Sequence, residues 1–239
     1  MQNNLYVSLS AQVSLERRLE TIANNVANMN TAGFRADGVS FSTELAKAGD
    51  NSIAYVSPGA GYISRLTGPS EKTDNPFDVA VQGQGWLSIS TPEGVAYTRD
   101  GRMRLSETGA LQTLTGNAVL DAGGAPIILD AAGGAPTIAG DGMITQNGRQ
   151  VGAIGVFSIP DDARFTRAEN SGVIPDKKAE PILDFTKNGV VQGYVEGSNV
   201  NPIEEMSKLI DVTRGFDGVN TEVTQTESSL QDAIKTLSA

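Results

Sequence analysis

Apolar residues in the first thirty positions and the last forty recur at helical spacing, whereas between them they come in short runs broken by glycine. Near the N-terminus Leu5, Leu15, Leu19, Ile22, Val26 and Met29 fall on one heptad seam, with Ser8 and Gln12 at its weak positions. Glu16, Arg17 and Glu20 take the opposite face. The spacing predicts a helix about 40 Å long, with an apolar stripe too narrow for the interior of a globular core. At the other end Leu209, Phe216, Val223, Leu230 and Leu237 recur every seven residues, and Val212, Val219, Thr226 and Ala233 follow the first four by three. Heptads sustained in this way predict a coiled-coil seam. Asn201 suits the N-cap, Pro202 the first helical position and Glu204 a capping-box spacing, so the helix is expected to begin at residue 202. Gly215 and Gly218 interrupt it at a cost of about 1 kcal/mol each relative to Ala. They mark either a tolerated weak spot, or a bend or close approach of another helix.

In the middle of the chain the period changes to two. Phe77, Val79 and Val81 alternate with Asp78 and Ala80, as in a half-buried strand. Turn signals follow at short intervals, among them Gly83-Gln84-Gly85, Asp100-Gly101, Gly116-Asn117, Asp141-Gly142 and Asn147-Gly148, with apolar runs such as Trp86-Leu87-Ser88-Ile89 between them. Hairpin-connected strands of a small barrel or sandwich account for this rhythm. Residues 35–75, where Phe41, Leu45, Ile53, Tyr55, Val56 and Ile63 are scattered among Gly, Ser and Asp, read as an extended connector with some strand content. The expected class is α+β: long N- and C-terminal helices pairing as a coiled-coil-like domain, and a central antiparallel all-β domain. The segments are 1–34 (helical assembly), 35–75 (connector), 76–196 (β domain) and 197–239 (helical assembly).

Composition narrows the function. The chain has no Cys and no His, which removes thiolate chemistry, the commonest metal ligand and the side chain best suited to proton transfer near neutrality. A Ser-His-Asp or Cys-His set is therefore impossible. Gly83-Gln84-Gly85 follows a strand but lacks a third glycine and runs into another strand, so it is a hairpin turn and not a phosphate loop. Asp161-Asp162 and Glu204-Glu205 are adjacent pairs that cannot face each other across a cleft. No enzyme, no cofactor and no metal site is expected. A net charge of −10 argues against nucleic acid as a partner, and no apolar run approaches the ~18 residues of a membrane span. Met1-Gln2-Asn3-Asn4 lacks the basic and apolar regions of a secretory signal, which leaves a cytoplasmic location or export that reads the N-terminus without cleaving it.

The remaining feature is a row of amides. Asn24 and Asn28 lie one helical turn apart, and Asn25 flanks the apolar seam. Amides both donate and accept, so such a row can fix the register of packed helices without net charge. The plainer reading is a helix end rich in terminating residues, with Gly33 as its left-handed stop.

These residues carry a resemblance. Asn24-Asn25-Val26-Ala27-Asn28, then Thr31, Gly33 and Phe34, is similar to the N-terminal motif of the bacterial flagellar rod and hook proteins. Glu196-Gly197-Ser198-Asn199-Val200-Asn201, leading to Glu204-Glu205-Met206, resembles the C-terminal signature of that family, and Tyr97-Thr98-Arg99-Asp100-Gly101 with Leu111-Gln112-Thr113-Leu114-Thr115-Gly116 its β-domain pattern. The length suits the rod members that carry a β domain, the proximal rod first and the distal rod as the alternative. Gly215 and Gly218 depart from the helix formers usual at those places.

The resemblance implies a structural subunit of the basal-body rod, a drive shaft that transmits torque across the periplasm to the hook. It implies copies of the chain itself, neighbouring rod proteins and the flagellar type III export apparatus as partners. The assembly interface would comprise Leu15, Leu19, Ile22, Asn24, Asn25, Val26, Asn28, Gly33 and Phe34 at one end, and Asn199, Leu209, Val212, Phe216, Val219, Val223 and Leu230 at the other. A binding or adhesion module on a coiled-coil stalk is the reading from another class.

Overall fold

The computed structural model describes residues 2–41, 43–48, 51–56 and 60–237, with the side chains of residues 2–6, 43–48, 51–56, 226, 227, 230–234 and 237 left aside. Its described residues form two helices and many short antiparallel strands, divided into two compact units. One unit comprises residues 1–27, 37–64 and 201–239, and the other residues 28–36 and 65–200.

The first unit holds both helices, α1 (Gln2–Ala27) and α2 (Pro202–Leu237). α2 begins where its capping residues place it. The Asn201 side-chain oxygen accepts from the amides of Ile203 (3.1 Å) and Glu204 (3.4 Å), satisfying donors that a helix N-terminus leaves open. Glu204 and Glu205 put negative charge at the positive end of the helix dipole, and Lys208 bridges both at 2.8 Å. Residues 37–63 contribute an antiparallel ribbon, Asp37–Ser40 against Ala60–Ile63 and Thr43–Ala48 against Asn51–Val56. α1 lies along Asp37–Ser40 and Asn51–Val56 as well as along α2.

Two helices and a large antiparallel β unit are compatible with α+β, but the expected coiled-coil pairing is corrected by the structure. A coiled-coil seam buries both of its apolar rows. Here Leu19 and Leu209 are 39% and 37% exposed, and the side that α1 buries carries Ser8, Ser14, Ile22 and Asn25. α2 buries Glu205 and Val212. The helices meet through Leu15, which faces Gly215, and through the Gln12 amide donating to Asn220 at 3.3 Å. The physical reason is competition: α1 must cover the ribbon as well as α2, so its inner face is set by small and polar residues that admit both neighbours. The side chain of Leu230 lies outside the described residues. α2 runs without a break through Gly215 and Gly218.

The second unit is built on a nine-stranded antiparallel sheet, whose central strand Trp86–Thr91 pairs with Gly94–Thr98 on one edge and with Val156–Ser158 and Ala118–Val119 on the other. A three-stranded sheet over residues 137–153 and the pairing of Val79–Gln82 with Gly189–Gln192 complete it. Its core gathers Val79, Leu87, Ile89, Leu111, Ile144 and Val156, all nearly inaccessible. The strand at Val79–Gln82, which the alternation marks as half-buried, has both faces covered, because Ala80 is buried as well as Val79 and Val81. Gly116, Gly142 and Gly148 fall at hairpins and take positive φ, as does Gly83, but the hairpin expected at Gly83-Gln84-Gly85 is instead a turn between strands that do not pair with each other, Val79–Gln82 pairing with Gly189–Gln192.

A Cβ added at Gly218 meets nothing, whereas at Gly215 it comes to 3.4 Å from Leu15, an ordinary contact. Gly218→Ala is therefore expected to stabilise α2 by about 0.8–1 kcal/mol, read as a higher helical circular-dichroism signal and melting temperature. An unchanged or lower signal would show that the glycine is needed for the helix path.

Candidate functional site

The motif residues near the two chain ends separate into two networks, one in each unit. In the first unit the amide of Asn25 is buried and fully used. Its oxygen accepts from the Asp37 amide (2.8 Å), and its nitrogen donates to the Asp37 carbonyl (2.9 Å) and to Glu205 Oε2 (3.2 Å). One side chain thus imitates a strand partner for the ribbon and ties α1 to the first turn of α2. Asn24, more exposed, donates to the Asp37 carboxylate. Glu205 is buried and its other oxygen receives Lys208. Asn24 and Asn25 thus bond a backbone and carboxylates. Val26 is half-buried, as are Leu15, Phe216, Val219 and Val223, while Ile22 and Val212 are buried.

The second network surrounds Glu196. Its Oε1 meets Arg35 at 2.7 Å and accepts from the Gly68 amide at 3.0 Å, and its Oε2 meets Arg99 at 3.0 Å. All three charged side chains are almost wholly buried. Arg99 also donates to the carbonyls of Val81 (2.9 Å) and Gly83 (2.6 Å), which locks it to the strand below. Two guanidiniums against one carboxylate leave a net positive charge, and both lie over the ring of Trp86, 5.6 and 5.5 Å from its centroid, where the negative π face offsets it. Burial lowers the pKa of Arg35 to about 10 and that of Arg99 in the same direction, opposed by the Glu196 charge. Arg35 remains a cation at neutral pH.

Around this trio the two terminal segments pair through their backbones. The Gly33 amide donates to the Glu196 carbonyl (2.8 Å), the Asn199 amide to the Phe34 carbonyl (3.2 Å), and the Ala36 amide to Asn199 Oδ1 (2.7 Å). Asn199 Nδ2 donates in turn to the Leu66 carbonyl at 2.8 Å. Gly33 takes φ +66, and any Cβ there would fall 2.1 Å from the Asp100 amide nitrogen, so glycine is required twice over. Phe34 is buried under the guanidinium of Arg167, 4.4 Å from its ring centroid. Asn28, half-buried, starts the turn that leads into this pairing by accepting from the Thr31 amide at 3.1 Å.

Of the expected site residues, Asn25, Asn24, Gly33, Phe34 and Asn199 are bonded into these networks. The sequence reading missed Arg35, Asp37, Trp86, Arg99, Glu196 and Glu205. Glu196 and Glu205 stand inside the C-terminal signature and Arg99 inside the β-domain pattern, but nothing in the chain announces that Arg35 and Arg99 converge on one carboxylate. Among the described residues no group of acidic side chains could hold a metal ion, and no helix is long and apolar enough to cross a membrane.

Glu196→Ala would leave Arg35 and Arg99 buried without a counter-charge and is expected to destabilise the second unit by about 3–5 kcal/mol. Denaturant unfolding followed by the fluorescence of Trp86, the single tryptophan, measures it. A loss below 1 kcal/mol would contradict the assignment.

Three family profiles match the chain in order: "Flagella basal body rod protein" over residues 5–35, "Flagellar hook protein FlgE/F/G D1 domain" over residues 80–174 and "Flagellar basal body rod FlgEFG protein C-terminal" over residues 191–237. The chain is 48% identical to the flagellar basal-body rod protein FlgF of Mesorhizobium japonicum and 47% identical to that of Rhizobium meliloti, in each case over 99% of this chain and 98% of the relative. Its identity to the flagellar basal-body rod protein FlgG of Bacillus subtilis is 28%, over 98% of both chains. The first profile ends at residue 35 and the last begins at 191, so both take in residues of the Glu196 network. With full-length likeness at this level, the chain belongs to the flagellar basal-body rod protein family, on its FlgF-like side, and is a structural protein, not an enzyme.

Proposed function

We propose that this chain is a subunit of the proximal part of the basal-body rod and joins it through the faces of α1 and α2 that its own fold leaves open. The observation that carries this reading is the apolar surface on the helices. Ile203, Met206 and Ile210 stand at i, i+3 and i+7 along α2, and Ile203 and Ile210 are 78% and 51% exposed. Leu9 and Val13 form a similar exposed pair along α1. Leu19 and Leu209 belong to the same set, which makes them contacts to neighbouring subunits and not to each other. Leu15, Ile22, Val26, Val212, Phe216, Val219 and Val223 line the inner sides, and the Asn24, Asn25, Asn28, Gly33, Phe34 and Asn199 contacts hold the segments that lead into the helices.

The neighbours are other copies of this chain and other rod proteins. The subunits reach the rod through the flagellar type III export apparatus, without a cleaved signal, and the rod carries torque across the periplasm to the hook. The proximal assignment is supported by the higher identity to relatives named FlgF than to those named FlgG.

Physical chemistry favours ordering on assembly. Among the described side chains of the first unit the buried apolar residues are Ile22 and Val212. Two such side chains contribute on the order of 3–6 kcal/mol, while ordering the backbone costs about 1–2 kcal/mol per residue. Burial of the exposed rows against neighbours supplies what the isolated subunit lacks.

Leu19→Asp and Ile210→Asp are therefore expected to abolish incorporation into basal bodies and swimming, while the purified subunit keeps its β unit and its melting transition. Wild-type incorporation of both variants, assayed in isolated basal bodies, would exclude these faces as the interface.

A further inference from the structure

Residues 28–36 and 196–200 are contiguous in sequence with α1 and α2 but belong to the β unit. Gly33, Gly197 and Asn199 make their amide bonds within it. Gly33 and Asn199 donate across the pairing of the two segments, Gly197 donates to the Pro69 carbonyl at 2.7 Å, and Glu196 receives Gly68. The close approach of these segments leaves no room for side chains: a Cβ on Gly68 would stand 2.1 Å from the Gly197 carbonyl oxygen, as tight as the one on Gly33 against Asp100. Inside lie Arg35, Glu196 and Arg99, closed over Trp86. A buried triad of this kind is poor as a source of net stability but resists partial opening, because separating any member strands a charge in the interior.

The contrast with the first unit is large. One unit has a core of fifteen buried apolar residues, while the other has Ile22 and Val212 among its described side chains. Local opening follows such differences, with sparsely packed elements opening at lower free energy than the core. Opening of α1 and α2 would therefore proceed inward along the chain until it met the first segment held by the β unit.

We infer that the Arg35–Glu196–Arg99 triad over Trp86 is a latch that stops this opening, so that residues 28–36 and 196–200 stay folded in the free subunit while α1 and α2 open and close. The last residues of the N-terminal motif and the first of the C-terminal one are then part of the rigid body delivered to the growing structure. Each helix forms from an end already fixed, which removes part of the ordering cost at the moment of docking. The inference deepens the proposed function, resting on its reading that the helices order on assembly, and it locates the border at which that ordering stops.

Amide hydrogen exchange on the full-length, dilute subunit separates the two claims. Rapid exchange in α1 and α2 tests ordering on assembly, and the amides of Gly33, Ala36 and Asn199 test the latch. Those three are expected to exchange with the β unit, at least about a hundredfold more slowly than the middle of either helix. In Glu196→Gln, which keeps the shape and removes the charge, they should exchange about tenfold or more faster beyond whatever change Leu87 and Ile89 in the central strand show, since those two report unfolding of the whole unit. Should Glu196→Gln fail to fold, Arg35→Lys, which keeps the charge but loses the flat guanidinium over Trp86, gives the same local reading. Exchange of Gly33 and Asn199 at the rate of the helices in the wild-type subunit would overturn the latch. So would wild-type protection that neither variant loosens, since the triad would then not be the lock. Protected helices in the free subunit would instead remove the assembly reading on which the latch's purpose rests.

Discussion

A carboxylate held between two guanidiniums in a dry interior has one stable arrangement, and the ends of this chain are organised by that fact. Glu196 cannot leave Arg35 and Arg99 without stranding buried charge on both sides. The backbone pairing of residues 33–36 with 196–199 is built around it, and so is the requirement for glycine at 33 and 68. A hydrophobic contact at the same place would hold these segments together with less demand on position. The ion triad allows little slippage, because each carboxylate oxygen meets a different guanidinium and the ring of Trp86 lies under both.

The helical unit follows the opposite logic. Its buried positions include Ser8, Ser14, Asn25 and Glu205 beside Ile22 and Val212, while Ile203, Met206 and Ile210 lie outward. A monomeric fold optimised for its own stability would reverse this. Polar contacts such as Asn25 with Asp37 and Glu205 tie α1, ribbon and α2 together, and apolar area on both helices is left exposed. One end of each motif therefore specifies an interior and the other a surface.

Parts of this were legible in the chain. The start of α2 at residue 202 was fixed by Asn201, Pro202 and Glu204, because capping depends on neighbours a few positions away. The hairpin turns were equally local, since positive φ at Gly116 or Gly142 is a property of the residue itself. The heptad pattern misled about the partner. Leu19 and Leu209 recur at seam spacing, yet periodicity tells which residues share a face and not what that face meets, and the ribbon of residues 37–63 took part of the space that a second helix would have filled. That ribbon left little pattern because its strands carry Gly, Ser and Asp among few apolar residues. Asn24, Asn25, Gly33, Phe34 and Asn199 were visible as a motif, but their role was not. The charges that complete it, Arg35, Arg99 and Glu196, are brought together only by the fold.

The central claim is that the Glu196 triad is an energetic unit and not three adjacent charges. A double-mutant cycle with Arg35→Met, Glu196→Gln and the double variant, unfolded in denaturant and followed by Trp86 fluorescence, measures this directly. The account predicts a coupling of about 1.5–3 kcal/mol, with the double variant less destabilised than the sum of the two single ones. Additive effects, with a coupling near zero, would contradict it.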